Sequence, residues 1–430
     1  MPVIKNVLIW DSSRRDAQYG DIVIGESGLI SAVTPPGAGR GDVVYNGGGR
    51  CLALPGLVNA HTHVSMTLLR GIGEELPLME WLHKKIFPAE EKLTACNIRS
   101  GADLAMLEMI SGGVTCFCDM YYFMDEVAAS LVESGMRGAL CRGLTGDDDQ
   151  KISENLALAE KYDGFEGRVA VQLGPHAPYT VPRDAVRKIA DIAREKNLGV
   201  HFHWLETKSE LDTMRDRYKT EPAEYLESTG LLEVRELILA HSVWFPEEQI
   251  SCAARDNVTV VHNPKSNLKL GSGFAPVRGF LSAGVRVALG TDGAASNNRL
   301  DIWDEMRTAA LMHKGYHMDP TATGAKDVLR MATVGGARGA GFKNTGLLQP
   351  DFTADIIIVD TDNPRYVGLD ETNVPEFAVY AGSSRDVRAS MVAGRMLYKD
   401  GEFLTLDREK ILRRAGEDRR SITKNSNFSG

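Results

Sequence analysis

Leu54-Pro55-Gly56-Leu57-Val58-Asn59-Ala60-His61-Thr62-His63 begins as a short apolar run and ends on two histidines that one residue separates. Successive side chains of a β-strand point to opposite faces, so residues two apart share a face. His61 and His63 are therefore expected to project together from the end of this strand. Polar side chains at that end are typical of the rim of a parallel barrel, where active sites lie.

The region that follows this strand has the rhythm of parallel βα units, because short apolar runs alternate with helical patterns such as Arg183–Lys196. Eight strands are predicted, at Gly56–His63, Gly113–Met120, Arg137–Leu144, Arg168–Gly174, Gly199–Trp204, Glu236–Trp244, Val258–Asn263 and Val285–Thr291. Eight such units in about 295 residues predict an α/β fold, the (β/α)8 TIM barrel of the metal-dependent hydrolase type. A doubly wound open sheet is the alternative, which the lack of a GxGxxG turn disfavours.

The two ends of the chain share a different sequence pattern, in which short runs of alternating apolar and polar residues are interrupted by Gly, Asp and Pro. This pattern is typical of short antiparallel β-strands. The expected division is a composite β-sandwich domain at 1–54 and 351–405, a catalytic barrel at 55–350, and a C-terminal helix and tail at 406–430. The helix is predicted over Asp407–Arg420, and Ser421–Gly430 is predicted to be a mobile polar tail.

The composition excludes several classes of protein. The 430 residues are 43% hydrophobic and 25% charged, as in ordinary globular proteins. A net charge of −9 argues against a general nucleic-acid or anionic-membrane surface. Six cysteines without a CxxC motif support neither a disulfide scaffold nor a zinc ribbon. Because neither a signal peptide nor an apolar span is evident, a cytoplasmic protein is expected.

The ten histidines are unevenly distributed, since four of them form two His-x-His pairs. The second pair, His201 and His203, ends the fifth predicted strand. His203 lies nearer the rim and is predicted to bind a metal. His201 lies one layer deeper and is predicted to be a buried histidine that a neighbour satisfies. His262, on the seventh strand, is given a structural role as well.

Other chemically active side chains end further strands, namely His241 on strand six and Asp292 on strand eight, while Glu206 follows strand five. A catalytic zinc takes three or four nitrogen and oxygen ligands and keeps one position for water. The predicted ligands are His61, His63, His203 and Asp292. Bound Zn²⁺ lowers the pKa of a water to about 7, and Glu206 is the carboxylate that could carry its proton to a substrate.

Asn59–His63, the preceding Leu54–Val58, the divided β domain and Gly290–Gly293 resemble the signature of the amidohydrolase superfamily. Over nearly its whole length the chain most resembles the 5′-methylthioadenosine/S-adenosylhomocysteine deaminases. The segments that carry this resemblance are Met66–Gly71, Phe87–Thr94, Gly174–Thr180 and Ser266–Gly273. It implies hydrolytic deamination of an adenine ring, in which Glu206 and Asp292 handle protons and His241, as a cation or a donor, holds the attacking water. It also implies the same four metal ligands.

One metal per chain is expected. Binuclear members of the superfamily usually bridge their two metals with a carboxylated lysine on strand four, and Arg168–Gly174 contains no lysine. Zn²⁺ is the expected ion, with Fe²⁺ as the alternative. The zinc motif of cytidine deaminases, HxE with PCxxC, is absent, so that deamination would use the barrel architecture.

Five residues are expected to bind the substrate, namely Glu206, which also handles its proton, and four others. Glu90 matches the family position that binds the ribose hydroxyls, and His176 matches a nucleoside-contacting histidine. Arg142 ends strand three and could reach the 5′ substituent, while Trp81 covers the ring or packs within a helix. Some family members grip a homocysteine carboxylate with a second arginine. That arginine lies about a dozen residues beyond the first, where this sequence has Glu154 after Arg142. An acidic residue there favours substrates with a neutral 5′ substituent, as in methylthioadenosine, 5′-deoxyadenosine or adenosine.

Other functions on the same fold stay open as alternatives, namely triazine chlorohydrolase, guanine deaminase and cytosine deaminase. Glu206 with His241 favours a deaminase, and Glu90 with His176 favours a nucleoside over a free base. A non-catalytic barrel is disfavoured because the ligand set is complete. The expected partner is a small-molecule nucleoside, and binding to nucleic acid or to a membrane is not expected. The chain is expected to form a homo-oligomer.

Overall fold

The strands divide between two sheets in the computed structural model, which describes residues 1–76 and 78–424. Before the barrel lie β1 Pro2–Ile9, β2 Gln18–Ile24, β3 Ile30–Thr34, β4 Asp42–Asn46 and β5 Cys51–Pro55. The barrel contains β6 Leu57–Thr62, β7 Val114–Tyr121, β8 Arg137–Leu144, β9 Val169–Pro175, β10 Gly199–Trp204, β11 Leu237–His241, β12 Val258–His262 and β13 Arg286–Leu289. After it lie β14 Ile356–Asp360, β15 Val387–Val392, β16 Arg395–Lys399 and β17 Glu402–Phe403.

The barrel strands pair in chain order from β6 to β13, and each pairing is parallel. The amide of Asp292, just after β13, donates to the carbonyl of His61 on β6 at 3.0 Å, so the ring is nearly closed. The predicted TIM barrel is therefore confirmed, with small differences at strand ends. The sixth strand ends at His241 rather than Trp244, because positive φ angles at His241 and Ser242 turn the chain out of the sheet.

A β-bulge in β6 aims the first His-x-His pair. The pairing of β6 with β7 shifts register between Asn59 and Thr62. Ala60, within this stretch, packs in a cluster of small apolar side chains drawn from most barrel strands, which fills the barrel interior. Bulges redirect side chains next to active sites, and here His61 and His63 lie together with ring centroids 5.0 Å apart.

Helices connect the barrel strands and cover their outer faces, which is why these strands are buried on both sides. The α-helices up to β11 are α1 Leu78–Trp81, α2 Phe87–Glu90, α3 Ala95–Ser111, α4 Met124–Ser134, α5 Asp149–Tyr162, α6 Arg183–Glu195, α7 Lys208–Arg217 and α8 Pro222–Ser228. Those that follow are α9 Pro264–Lys269, α10 Val277–Ser282, α11 Ala294–Asn297, α12 Ile302–His317, α13 Ala325–Arg330, α14 Gly336–Gly339, α15 Val374–Glu376 and α16 Arg408–Lys424. No helix among these residues is both long and apolar enough to cross a bilayer.

Both chain ends build the second sheet, as the sequence predicts. Its order is β17-β16-β15-β14-β5-β1-β2-β3, with β4 parallel to β1. The ends meet where β14 runs antiparallel to β5, with Ile356 opposite Pro55. All nine strands belong to one hydrogen-bonded sheet, whose own core contains isoleucines of β1, β2 and β14. The domain bounds at residues 54/55 and 350/351 stay a prediction.

The C-terminal helix α16 extends four residues beyond its predicted end at Arg420. The first part of the predicted tail, residues 421–424, is therefore helical, and residues 425–430 lie outside the described residues. The guanidinium of Arg419 donates to the carbonyl of Arg70 at 3.0 Å. This contact ties the helix to the loop that follows the first barrel strand.

A buried ion pair joins the barrel to the second sheet. Arg137 at the start of β8 donates to both carboxylate oxygens of Asp355, at 2.7 and 3.1 Å. Their side chains are 2% and 0% exposed. Asp355 also accepts the amide of Ala393 at 2.8 Å. The carboxylate thus holds both β14, which it precedes, and the end of β15 against the barrel.

Replacing Arg137 leaves the charge of Asp355 buried without its partner, which costs about 3–5 kcal/mol. We expect Arg137→Met to lower the free energy of unfolding in urea by that amount. The control is Arg50→Met, whose ion pair with Asp362 is 71% and 61% exposed and contributes about 0–1 kcal/mol. Equal losses in the two variants would show that the buried pair does not couple the sheet to the barrel.

Candidate metal and substrate site

A cavity lies at the carboxyl ends of the barrel strands, where the sequence predicts the site. Its lining includes His63, Met66, Trp81, Glu90, Tyr121, Tyr122, His176, Tyr179, His203, Glu206, His241 and Asp292. The structure thus brings eight of the ten predicted site residues to one cavity wall. His61 lies directly behind this wall, fully buried, and Arg142 lies in an adjoining cavity.

Four side-chain atoms converge at the base of the cavity. Asp292 Oδ1 lies 3.2 Å from His63 Nε2 and 3.5 Å from His61 Nε2. His203 Nε2 lies 3.4 Å from His63 Nε2. A tetrahedral Zn²⁺ with bonds of about 2.0–2.2 Å sets its ligand atoms about 3.3–3.5 Å apart. These three separations are close to the edge length of such a tetrahedron.

The hydrogen bonds of His63 and His203 fix which ring nitrogen is free. The Nδ1 of His63 lies 2.6 Å from the carbonyl of Met120, and that of His203 lies 2.8 Å from the carbonyl of His176. A carbonyl only accepts, so each Nδ1 carries a hydrogen and each Nε2 is the nitrogen that can present a lone pair to a cation. Two lone pairs that face each other are stabilised by a cation between them, so the donor set fits a divalent metal.

Two serines hold the carboxylate of Asp292 from behind. The hydroxyls of Ser266 and Ser296 each donate to Oδ2 at 2.7 Å, which leaves Oδ1 toward the histidines. The backbone of Asp292 has φ of 61°, which a residue other than glycine adopts only where its surroundings hold it. Burial alone would raise the pKa of Asp292, but the adjacent imidazoles of His61 and His63 hold it well below the ordinary value.

Glu206 and His241 form the adjacent wall, with Oε1 and Nδ1 3.8 Å apart. The hydroxyl of Ser272 donates to Oε1 of Glu206 at 3.2 Å, and Nδ2 of Asn267 donates to Nδ1 of His241 at 2.9 Å. Burial and the charge of Asp292 raise the pKa of Glu206 well above its ordinary value. Burial lowers the pKa of His241 to about 3. Of the two states that the sequence left open for His241, the neutral donor is the one that fits.

Glu90 and His176 carry the polar groups on the substrate side. The hydroxyl of Tyr121 donates to Oε1 of Glu90 at 2.7 Å, and that of Tyr122 lies 3.4 Å from Oε2. The Nδ1 of His176 donates to the hydroxyl of Thr180 at 2.9 Å, because that hydroxyl itself donates to a carbonyl of the same loop at 3.1 Å. Burial lowers the pKa of His176 to about 4. His176 is therefore neutral, and its Nε2 is a free acceptor.

Trp81 and Arg142 differ in how they meet the cavity. Trp81 lines it and is 5% exposed, with its indole N–H donating to a backbone carbonyl at 3.2 Å. Arg142 lines an outer cavity of about 890 Å³, which shares Glu90 with the inner one. Its guanidinium donates to Glu154 at 3.0 Å and lies 5.2 Å from the ring centroid of Tyr122.

Several residues that position the chemical groups have no site role predicted from the sequence, namely Ser266, Asn267, Ser272, Ser296, Tyr121 and Tyr122. Their contacts connect residues that lie 26 or more positions apart, except for Ser296 and Asp292. Periodicity along one strand cannot report such contacts. A usable signal was present in the polar stretch that follows strand seven, because polar residues at that end of a barrel strand face the mouth.

An eight-stranded parallel barrel with histidines and an aspartate at the carboxyl ends of its strands defines the class of barrel hydrolases. Residues 52–397 match the model of the amidohydrolase family, and the chain belongs to that family. It is 44% identical to the 5-methylthioadenosine/S-adenosylhomocysteine deaminase of Dictyoglomus thermophilum, over 87% of this chain and 88% of that protein.

Two further similarities cover almost the entire chain. It is 41% identical to the 5'-deoxyadenosine deaminase of Methanosarcina mazei, over 96% of each protein. The crystal structure of a Xanthomonas campestris adenosine deaminase with bound zinc matches with a TM-score of 0.90 and 32% identity, over 98% of each chain. The fold and family resemblance stated from the sequence are thus confirmed.

The turn that carries Glu206 depends on Glu210, whose Oε1 accepts the amides of Glu206 at 3.1 Å and Thr207 at 3.3 Å. Removing such an acceptor at the start of a helix costs about 1–2 kcal/mol. We expect Glu210→Ala to lower the free energy of unfolding by that amount, and Glu210→Gln, which keeps the acceptor, by less than half of it. Urea unfolding measures both, with the exposed Glu224→Ala as the control. Equal losses for Ala and Gln would contradict the assigned bonds.

Proposed function

We propose that the chain is a metal-dependent deaminase of adenosine-type nucleosides, which replaces the amino group of the adenine ring by oxygen and releases ammonia. The observation that carries this proposal is the position of Glu206 and His241 beside the four converging donor atoms. A carboxyl group that can hold a proton, next to a neutral imidazole, suits proton-assisted attack on an aromatic ring better than displacement of chloride. The names of the relatives support the same reaction.

His61, His63, His203 and Asp292 are the proposed ligands of one divalent ion, Zn²⁺, with Fe²⁺ as the alternative. When bound, such an ion lowers the pKa of a water to about 7 and so supplies a nucleophile at neutral pH. The strand β9 contains no lysine that could bridge a second metal, which supports a single ion.

Glu206 has one carboxylate oxygen free for proton transfer. Because Ser272 donates to Oε1 of Glu206, its Oε2 is the oxygen proposed to carry the water proton to the ring nitrogen beside the amino group. His241, with its proton on Nε2, donates to the attacking oxygen and stabilises charge that develops there. Asp292, a proposed ligand through Oδ1, keeps a second lone pair on that oxygen, which is proposed to accept the second proton and pass it to the leaving ammonia.

The polar groups on the other side of the cavity suit a ribose. Each oxygen of Glu90 has a second lone pair beyond the one that a tyrosine hydroxyl occupies, so both could accept a ribose hydroxyl. The Nε2 of His176 offers one more acceptor. Trp81 is proposed to cover the ring or the ribose. A free base would leave these buried groups unpaired, which favours a nucleoside.

The outer cavity is proposed to receive the 5′ substituent. Glu154 engages Arg142 and neutralises its charge, so an anionic group gains little there. Neutral substituents, as in methylthioadenosine, 5′-deoxyadenosine and adenosine itself, are therefore preferred over S-adenosylhomocysteine.

A substrate panel tests the function. Ammonia release is measured with adenosine, 5′-deoxyadenosine, methylthioadenosine, S-adenosylhomocysteine, guanine and a chlorotriazine. We expect turnover of the adenosine derivatives, fastest for those with a neutral 5′ group, and loss of turnover after the metal is removed with a chelator. Activity on guanine or the triazine alone would exclude a nucleoside deaminase.

Replacing Glu206 removes the group proposed to move the proton. We expect Glu206→Gln to lower kcat about 10²–10⁴-fold while the metal content of the protein stays unchanged. The exposed Glu224→Gln serves as the matched control and should keep full activity. A Glu206→Gln enzyme with more than a tenth of the original kcat would show that another group transfers the proton.

Glu154→Gln frees the guanidinium of Arg142 for a substrate carboxylate. An exposed ion pair contributes about 1 kcal/mol at most, so we expect kcat/KM for S-adenosylhomocysteine relative to methylthioadenosine to rise about 3–5-fold. The control is Asp125→Asn. It removes a negative charge from the lining of the same cavity, but Asp125 is paired with Lys161 and not with Arg142. A similar rise in this control would indicate a general effect of cavity charge and contradict the role of Arg142.

A further inference from the structure

His201 contacts one of the proposed metal ligands from below. Its side chain is fully buried on β10, and its Nε2 lies 2.8 Å from Nδ1 of His61. Within residues 1–76 and 78–424, its other nitrogen, Nδ1, has no hydrogen-bond partner. Burying an imidazole costs free energy unless its polar atoms are bonded. Among the described residues, the bond to His61 is the one that offsets this cost.

The proton in this pair decides what His61 can bind. The Nε2 of His61 faces Asp292 Oδ1 at 3.5 Å and has no hydrogen-bond partner in the same part of the chain. It can take a cation only when the ring proton is on Nδ1, and the acceptor for that proton is Nε2 of His201. In the reverse arrangement His201 donates, the proton of His61 moves to Nε2, and the lone pair that a cation needs is lost.

The three histidines of the donor set differ in this respect. The Nδ1 atoms of His63 and His203 bond backbone carbonyls, which cannot donate and which no substitution removes. His61 instead depends on a side chain that is able to donate or to accept. The tautomer and ring orientation of His61 are therefore set at residue 201, one layer below the cavity.

We propose that His201 is a positioning residue of the metal site. Its Nε2 accepts a hydrogen bond from the Nδ1–H of His61, and this bond keeps the lone pair on Nε2 of His61 available to the ion. Partners of this kind typically change metal affinity 10–100-fold when removed. The inference rests on the ligand set proposed above. It concerns a residue that does not touch the ion or the substrate.

The test compares variants that keep or remove the acceptor. In His201→Gln, Oε1 can replace the accepting nitrogen. His201→Leu removes the acceptor at similar volume, and His201→Asn keeps a polar group that is too short to reach His61. The matched control is His262→Leu, since His262 is an equally buried histidine on β12 whose Nε2 faces His313 at 3.2 Å.

Zinc affinity is measured by competition with a chromophoric chelator, and the visible spectrum of the cobalt-loaded protein reports the geometry of the ligands. We expect His201→Leu and His201→Asn to bind zinc about 10–100-fold more weakly than the unaltered protein, with a shifted cobalt spectrum. His201→Gln and His262→Leu should stay within about threefold of it. Should His201→Leu fail to fold, His201→Asn against His201→Gln makes the same comparison.

The outcomes separate the two proposals. Unchanged zinc affinity in His201→Leu and His201→Asn would overturn the role of His201 and leave the metal site standing. An equal loss in His262→Leu would also overturn it, because the effect would then follow from any buried histidine. If the unaltered protein binds no zinc, the ligand set is wrong and the inference falls with it.

Discussion

The position of Asp292 against His61 is the constraint on which the rest of the site depends. Asp292 follows the last barrel strand and His61 ends the first, so their contact exists only when the ring of eight strands is closed. The backbone bond of 3.0 Å between them fixes that seam. The two serines behind Asp292 then leave a single carboxylate oxygen toward the histidines. The geometry of the site therefore depends on the same contact that joins the first and last strands of the barrel.

Burial and the neighbouring charged or polar groups together give chemically similar side chains different protonation states. His203 and His241 are neutral because burial lowers their pKa values, whereas the pKa of Glu206 is raised and that of Asp292 is lowered. One carboxylate is therefore ionised and able to hold a cation, while another, on the same wall, can hold a proton. Paired groups whose environments push their pKa values apart are the mark of acid–base sites. The division of roles in the proposed reaction follows from this difference.

Much of this arrangement could be predicted from the sequence. Apolar runs of strand length were sufficient to find all eight barrel strands, and the polar residues near the ends of some of them placed His203, Asp292 and Glu206 at one rim. The resemblance added Glu90 and His176, which do line the cavity. These features depend on local periodicity, which the sequence carries directly.

The remaining features depend on contacts between distant segments. The bulge that aims His61 and His63 arises from pairing with β7, and the pairing of His201 with His61 joins residues 140 positions apart. The second sheet was predicted from both chain ends, but its continuity through β5 and β14 was not. Neutral His241 follows from burial in the finished fold. None of these can be read from one segment alone.

The most direct measurement of the central claim is a crystal structure of the zinc-loaded protein with anomalous diffraction data collected on both sides of the zinc edge. The account predicts one strong anomalous peak per chain, enclosed by the Nε2 atoms of His61, His63 and His203 and by Oδ1 of Asp292. Two adjacent peaks, or a peak held by a different set of side chains, would contradict it.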